Sequence, residues 1–360
     1  MAVVGVVLLA AVWFQRGTIG DALAEVHTMS AAVVVALIAL GIVERVSRAD
    51  IVRRLLGTTS FARSLTIHDV GTAASKGIPL GGPLATALRW SIARDAAVPT
   101  TTFASMLVSY GVATTFVTWL LPFGVLLAEM TQRTPTGTDL AMLAICTVVV
   151  VGSGLFWAVV LRSERLAVRL VSGLHTLCDR ATRRWSSIGR RLGDHDVGAG
   201  LLEVRSSLRA VGARPLELLL RTALAQSVGA IILLVALRGL GVGTELGLLE
   251  FARVYFVVSL LSSFVPVPGG VGVVEAGLTG ALVAAGVDAP TALAGVLVYR
   301  LLTYVVPIAL GAGLYLGWRF DVARRRSTPD VPVIPAEPIP DRKAGWVSSR
   351  IELHEAAIIE

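Results

Sequence analysis

The sequence predicts an all-α polytopic membrane protein, with about seven to eight membrane helices and two broken or re-entrant segments in an inverted repeat. Three observations predict it. Apolar residues make up 54% of the chain and charged residues only 16%, with a mean hydropathy of +0.75, a balance seldom seen in a soluble domain. The apolar residues come in long runs separated by arginine-rich segments. Two Pro/Gly clusters interrupt otherwise apolar sequence at related positions.

A helix needs about 20 apolar residues to cross a hydrocarbon core of about 30 Å. The run 1–14 is short and reads as an uncleaved, tilted first helix, because it lacks a basic leading segment and a small-residue cleavage site. The run 29–43 is short but can extend into its flanks, and 102–130 and 140–161 are clear spans. So are 216–237, 251–264 and 291–318. These runs define a membrane domain over 1–318, with repeat halves at about 45–161 and 216–318 joined by a basic linker over 162–215. Residues 319–360 form a Pro-rich tail.

Charge sets the expected orientation. The chain has 30 Arg and 2 Lys and a net charge of +7. The arginines cluster between apolar runs, which is the positive-inside pattern and not that of a nucleic-acid binder, so no nucleic-acid partner is expected. Five arginines fall between 45 and 63, eleven between 162 and 214 against five acids, and seven basic residues follow Trp318. The linker and tail are therefore expected in the cytoplasm, facing anionic lipid head groups, with 15–28, 131–139 and 239–250 outside. Leu166, Leu170, Leu174 and Leu177 recur at helical spacing in the linker, which reads as an amphipathic helix on the inner face, first a connector and second a partner dock. The stretch 327–340 holds five prolines in fourteen residues and predicts an extended tail too short to form a core.

Little in the sequence suggests covalent chemistry. Cys146 falls in an apolar helix and Cys178 in the linker, so no disulfide is expected. The five histidines are scattered and give no metal spacing. His68, beside Asp69, reads as a solvated loop residue. H-E-x-x-H and G-x-S-x-G are absent, and no aspartates pair within helices. The expectation is a non-enzyme with no catalytic residues, no metal and no cofactor.

The stretch 265–277, VPVPGGVGVVEAG, is the most informative. Gly270-x-Gly272 is not a dinucleotide fingerprint, since Glu275 stands where the third glycine belongs and no βαβ unit surrounds it. Pro266 and Pro268 stop a helix that begins near Phe251, Gly269 and Gly270 re-aim the chain, and a new helix runs from near Val271 to about Val287. Non-helical backbone at membrane depth is tolerated only against protein or a water-filled cavity, so these residues line a site. Glu275 shares a helix face with Gly272 and Thr279, and a carboxylate there is a functional hypothesis by default. Arg300 lies within the apolar run 295–316, with Val296, Tyr304 and Pro307 on its face. An arginine that deep costs about 2.5–3.5 kcal/mol or more without a partner. Two roles are open: a static ion pair with Glu275, or a switch in which Arg300 holds a lipid phosphate once Glu275 gains a proton or moves away.

An earlier copy of the pattern has Pro79, Gly81 and Gly82, followed by Tyr110. Gly81 and Gly269 are 188 positions apart, Tyr110 and Tyr299 are 189 apart, and the two copies follow loops expected on opposite sides. Paired helix breaks in inverted repeats point to a transport-type fold with its site at the repeat interface.

The P-x-P-G-G-x-G-x-x-E run from Pro266 to Glu275, followed by YRLLTY at 299–304 with Pro307 and Gly311, resembles the lysylphosphatidylglycerol synthase transmembrane-domain family, also described as flippase-like. The resemblance covers most of 29–318. Larger members join this unit to an aminoacyltransferase domain, which these 360 residues lack. The resemblance therefore implies translocation of a membrane phospholipid or handling of a polyprenyl-linked lipid in a bacterial plasma membrane, not aminoacylation. It carries over Pro266, Pro268, Gly269, Gly270, Gly272, Glu275 and Arg300, and in the first half Pro79, Gly81 and Gly82 with a following basic residue, Arg89 or Arg94. The alternative is a non-catalytic membrane subunit that recruits or regulates a cell-envelope enzyme through the basic linker and tail.

Overall fold

The computed structural model describes residues 27–78, 81–132, 134, 136–162, 215–243, 246–265 and 268–327. The expectations placed on 1–14, on the linker, on Pro79 and Pro266, and on the tail beyond 327 lie outside them. The chain divides into two units, 1–317 and 318–360.

All regular structure among the described residues is helical. Helix α1 (Ala31–Leu56) is capped by Ser30, whose hydroxyl accepts from the Val33 N–H, and ends at Gly57 with φ 70°. The sequence suggested a loop carrying the arginines after residue 43. Instead Arg45, Arg48, Arg53 and Arg54 all lie on α1, since no breaker interrupts the helix. Glu44–Arg48 and Asp50–Arg54 also form i,i+4 ion pairs. Helix α2 (Phe61–Gly77) ends at Ile78, which is extended at φ −123° immediately before Pro79, as a residue preceding proline prefers. Helices α3 (Gly81–Asp95), α4 (Thr100–Glu129) and α5 (Gly137–Arg162) complete the first half.

The second half opens with α6 (Pro215–Gly239) and α7 (Leu248–Ser262). A 3₁₀ turn (Pro268–Gly270) then leads into α8 (Val273–Ala284). Helix α9 (Ala289–Arg300) continues through a π-turn (Leu301–Val305) into α10 (Val306–Ser327). Helix α10 extends nine residues past 318, into the tail expected from 319 and as far as Ser327, where the Pro-rich stretch 327–340 begins, with an Asp321–Arg325 pair at 2.6 Å in its last turns.

Thr100–Glu129, Gly137–Leu155, Pro215–Gly239 and Ala289–Arg325 are long and apolar enough to cross a bilayer, and the chain is a polytopic membrane protein. The run 251–264 was expected to be a span. Helix α7, at 15 residues, reaches only about 22 Å at 1.5 Å per residue, short of the hydrocarbon core. Helix α8, at 12 residues, is shorter still. Both halves present a long helix, two short ones and a long one, in that order.

Two core clusters join the halves and a third lies within the second half. Leu37 of α1 packs with Ile232 and Ala236 of α6 and Val298 of α9. Phe251 of α7, Leu282 of α8 and Val296 of α9 close a second cluster around Leu233. Ala73 of α2 packs on Tyr304, Ile308 and Ala312. This last contact needs Gly311, where a Cβ would overlap the Asp69 carbonyl. Val35, Val148 and Leu216 are 65%, 71% and 66% exposed, which in a membrane protein marks the sides turned to lipid.

Candidate functional site

The site is built on the break between α7 and α8. Helix α7 ends at Ser262, four residues before Pro266 in the sequence, and a proline there has no N–H for the Ser262 carbonyl. The Ser262 and Ser263 hydroxyls also donate to the carbonyls of Val258 and Leu260, and Val265 precedes a proline, where helical backbone is disfavoured. Gly269, Gly270 and Gly272 then take φ of 60°, 65° and 81°, the left-handed region open chiefly to glycine. Helix α8 starts at Val273 and ends at Ala284, inside the expected 271–287, because the chain is still left-handed at Gly272.

Glu275 sits at the third position of α8. Its Oε2 accepts the Gly272 N–H at 2.7 Å, satisfying a donor that the helix start leaves open. Its Oε1 accepts from Arg300 Nε, also at 2.7 Å. Arg300, 7% exposed as a side chain, also donates through Nη2 to the Gly269 carbonyl at 3.0 Å. Its guanidinium carbon lies 4.2 Å from the centre of the Tyr304 ring. Thus Arg300 holds the last residue of α9 against both ends of the glycine segment. Tyr304 closes the unit, since a Cβ on Gly269 would collide with its ring. The pair foreseen between Glu275 and Arg300 is present, and Arg300 meets protein groups through Nε, Nη2 and the Tyr304 ring.

The π-turn after Arg300 joins this unit to the first half. In a regular α-helix the Thr303 carbonyl would accept from residue 307, but Pro307 has no N–H. Lys76 Nζ from α2 donates to that carbonyl at 2.6 Å, and the Tyr304 hydroxyl donates to the Lys76 carbonyl at 3.1 Å. Nearby, Tyr255 and Tyr299 share a hydrogen bond of 3.1 Å, and the Tyr255 hydroxyl fills space that any Cβ on Gly229 would occupy.

The first-half residues behave differently. Gly81 starts α3 and packs so closely on the Ala74 carbonyl that a Cβ would not fit. Gly82 is exposed, has open space around its Cα and does not take positive φ, so nothing in the structure requires a glycine there. Pro268, in the second half, belongs to the 3₁₀ turn. Arg94 is exposed, whereas Arg89 is half-buried and crosses α2 over Gly71.

The expectation for His68 is overturned. His68 and Asp69 are buried on α2, 6% and 1% exposed. The His68 Nδ1 lies 2.9 Å from one Asp69 oxygen, and Arg45 of α1 pairs with the other. Charges beside an arginine cluster resemble a loop in composition but here lie on continuous helices. Glu44, Arg45, Arg48, Asp69 and Lys76 belong to no sequence motif, and an uninterrupted helical pattern through both charged stretches is their one signal.

Residues 1–311 match the family model of the lysylphosphatidylglycerol synthase TM region. No curated protein matches the chain.

Proposed function

We propose that this chain, which belongs to the lysylphosphatidylglycerol synthase TM-region family, moves a lipid with a polar head group between the two faces of its membrane without covalent chemistry. Family membership carries a lipid-related role in the membrane. The observation that favours translocation is the Arg300 clamp, in which a part-buried ion pair with Glu275 and a hydrogen bond to the Gly269 carbonyl secure a broken helix. Helix breaks with charged groups at membrane depth are the parts from which transporters build sites, and a break held by an ion pair can be released by competing charge. The reading also takes the two halves as inverted repeats that rock against each other across the Lys76–Thr303 and Tyr304–Lys76 contacts. A phospholipid or a polyprenyl-linked lipid is the substrate class, and the bacterial plasma membrane is the location.

The test uses purified protein in sealed vesicles of phosphatidylglycerol and phosphatidylcholine that contain a trace of fluorescent phosphatidylglycerol. Dithionite bleaches the label in the outer leaflet. The expected result is that protein exposes inner-leaflet label, and that Arg300→Gln at equal reconstituted amount exposes much less. Label protected as fully as in empty vesicles would overturn the reading for this lipid.

A further inference from the structure

Most buried and half-buried charges among the described residues of the membrane domain are matched. Arg45 pairs with Asp69, Arg48 with Glu44, and Arg300 with Glu275. Lys76 has a carbonyl instead of a carboxylate. Arg89 has neither a hydrogen bond nor an ion pair among the described residues. Its stem passes over α2 at Gly71, where the guanidinium occupies the space of a missing Cβ. Tyr110 of α4 is its electrostatic neighbour, and the same Tyr110 lies against Arg48. The hydroxyls of Ser105 and Ser109, on the turns just before Tyr110, are buried and have no hydrogen-bond partner among the described residues.

We propose that Arg89, lying across Gly71 of α2, receives the phosphodiester of an anionic lipid head group at a place separate from the Arg300 clamp. An unmatched guanidinium in a membrane domain is costly to keep unless an anion joins it. Phosphate suits it, because the planar fork offers parallel donors to two oxygens. In this arrangement Arg300 already commits Nε, Nη2 and the face against the Tyr304 ring to protein groups, whereas Arg89 commits none to a hydrogen bond or ion pair among the described residues. Gly71 is the built feature, because any other residue there would displace Arg89. The inference rests on the lipid-translocation reading for its ligand class, and assigns the head-group contact to the first half of the chain.

The test measures binding to the full chain in detergent micelles, read as a saturable rise in the thermal unfolding midpoint. The probes are dioctanoyl-phosphatidylglycerol, dioctanoylglycerol with the same tails but no phosphodiester, and inorganic phosphate. The phosphatidylglycerol should bind at least about tenfold more tightly than either of the others. Arg89→Gln should weaken it about tenfold or more, Arg89→Lys by less, and Arg238→Gln on α6 not at all. Gly71→Ala keeps the charge but displaces the side chain, and should weaken binding as Arg89→Gln does. It carries the comparison if Arg89→Gln fails to fold. Unchanged affinity in Arg89→Gln and Gly71→Ala would overturn the site. Equal binding of dioctanoylglycerol would overturn the phosphodiester, and equal binding of inorganic phosphate would overturn the lipid head group. Because no vesicle is involved, a wild-type protein that binds through Arg89 but moves no lipid leaves the site standing and removes only translocation. A protein that moves lipid while Arg89→Gln binds normally removes only the site.

Discussion

Arg300 Nη2 donates to the Gly269 carbonyl at 3.0 Å, so the end of α9 and the left-handed segment before α8 form one unit. The ion pair with Glu275 at 2.7 Å is the second tie in that unit. Its energetics are separable from any transport role.

Arg300 makes three contacts there, and Glu275 makes two. Arg300→Gln should therefore lower stability by about 3–5 kcal/mol and Glu275→Gln by about 2 kcal/mol. The double variant should be less damaged than the sum of the singles, by about 1 kcal/mol or more. Fraction folded against SDS mole fraction in micelles measures all three. Strict additivity would mean that the two side chains do not share their energy.

The glycines should rank by what stands over them. Gly269→Ala meets both left-handed backbone and the Tyr304 ring, whereas Gly272→Ala meets open space. Gly272→Ala should cost about 1–2 kcal/mol from backbone strain alone, and Gly269→Ala clearly more. Gly270→Leu should abolish lipid movement more than it reduces inserted protein. Equal effects of the two alanine variants would remove Tyr304 from the argument.

Lys76 supplies a hydrogen bond that Pro307 withholds. Lys76→Met should lower stability by about 1–3 kcal/mol by leaving the Thr303 carbonyl unmet. Pro307→Ala restores an N–H four residues along, and should recover at least about half of that loss in the double variant. No recovery in the same SDS titration would show that the loss has another origin.

Orientation can be read in intact cells. In a background without native cysteines, Thr136→Cys before α5 should react with a membrane-impermeant maleimide, and Ser187→Cys in the arginine-rich linker should not. The reverse pattern would invert the topology and remove the basis for opposed halves.

The glycine segment and its ion pair were legible because their residues are out of place in apolar sequence. Pro, Gly, Glu and Arg inside membrane-like runs each demand a local reason, and Glu275 and Arg300 supply each other's. The helix ends were less legible. Serine hydroxyls bond back onto the last turn of α7, and Gly272 delays α8, through hydrogen bonds and backbone angles that composition does not reveal. The first-half polar cluster was missed for a different reason. Arg45 and Asp69 lie on separate helices, so only the packing of α1 against α2 shows them as partners. Gly71 likewise looks like an ordinary helical glycine until Arg89 is seen lying across it.

Lys76 and Thr303 are 227 positions apart in the chain. At about 5–20 residues per second, a ribosome adds the intervening residues in about 11–45 s. Throughout that interval the nascent first half has entered the membrane with a lysine whose final acceptor has not been made. That ammonium must stay near water or lipid phosphate until Thr303 emerges, so α2 settles at its final depth only after most of the second half is synthesised. A truncated chain ending before α9 should therefore be a substrate for membrane quality control even though its own helices are complete.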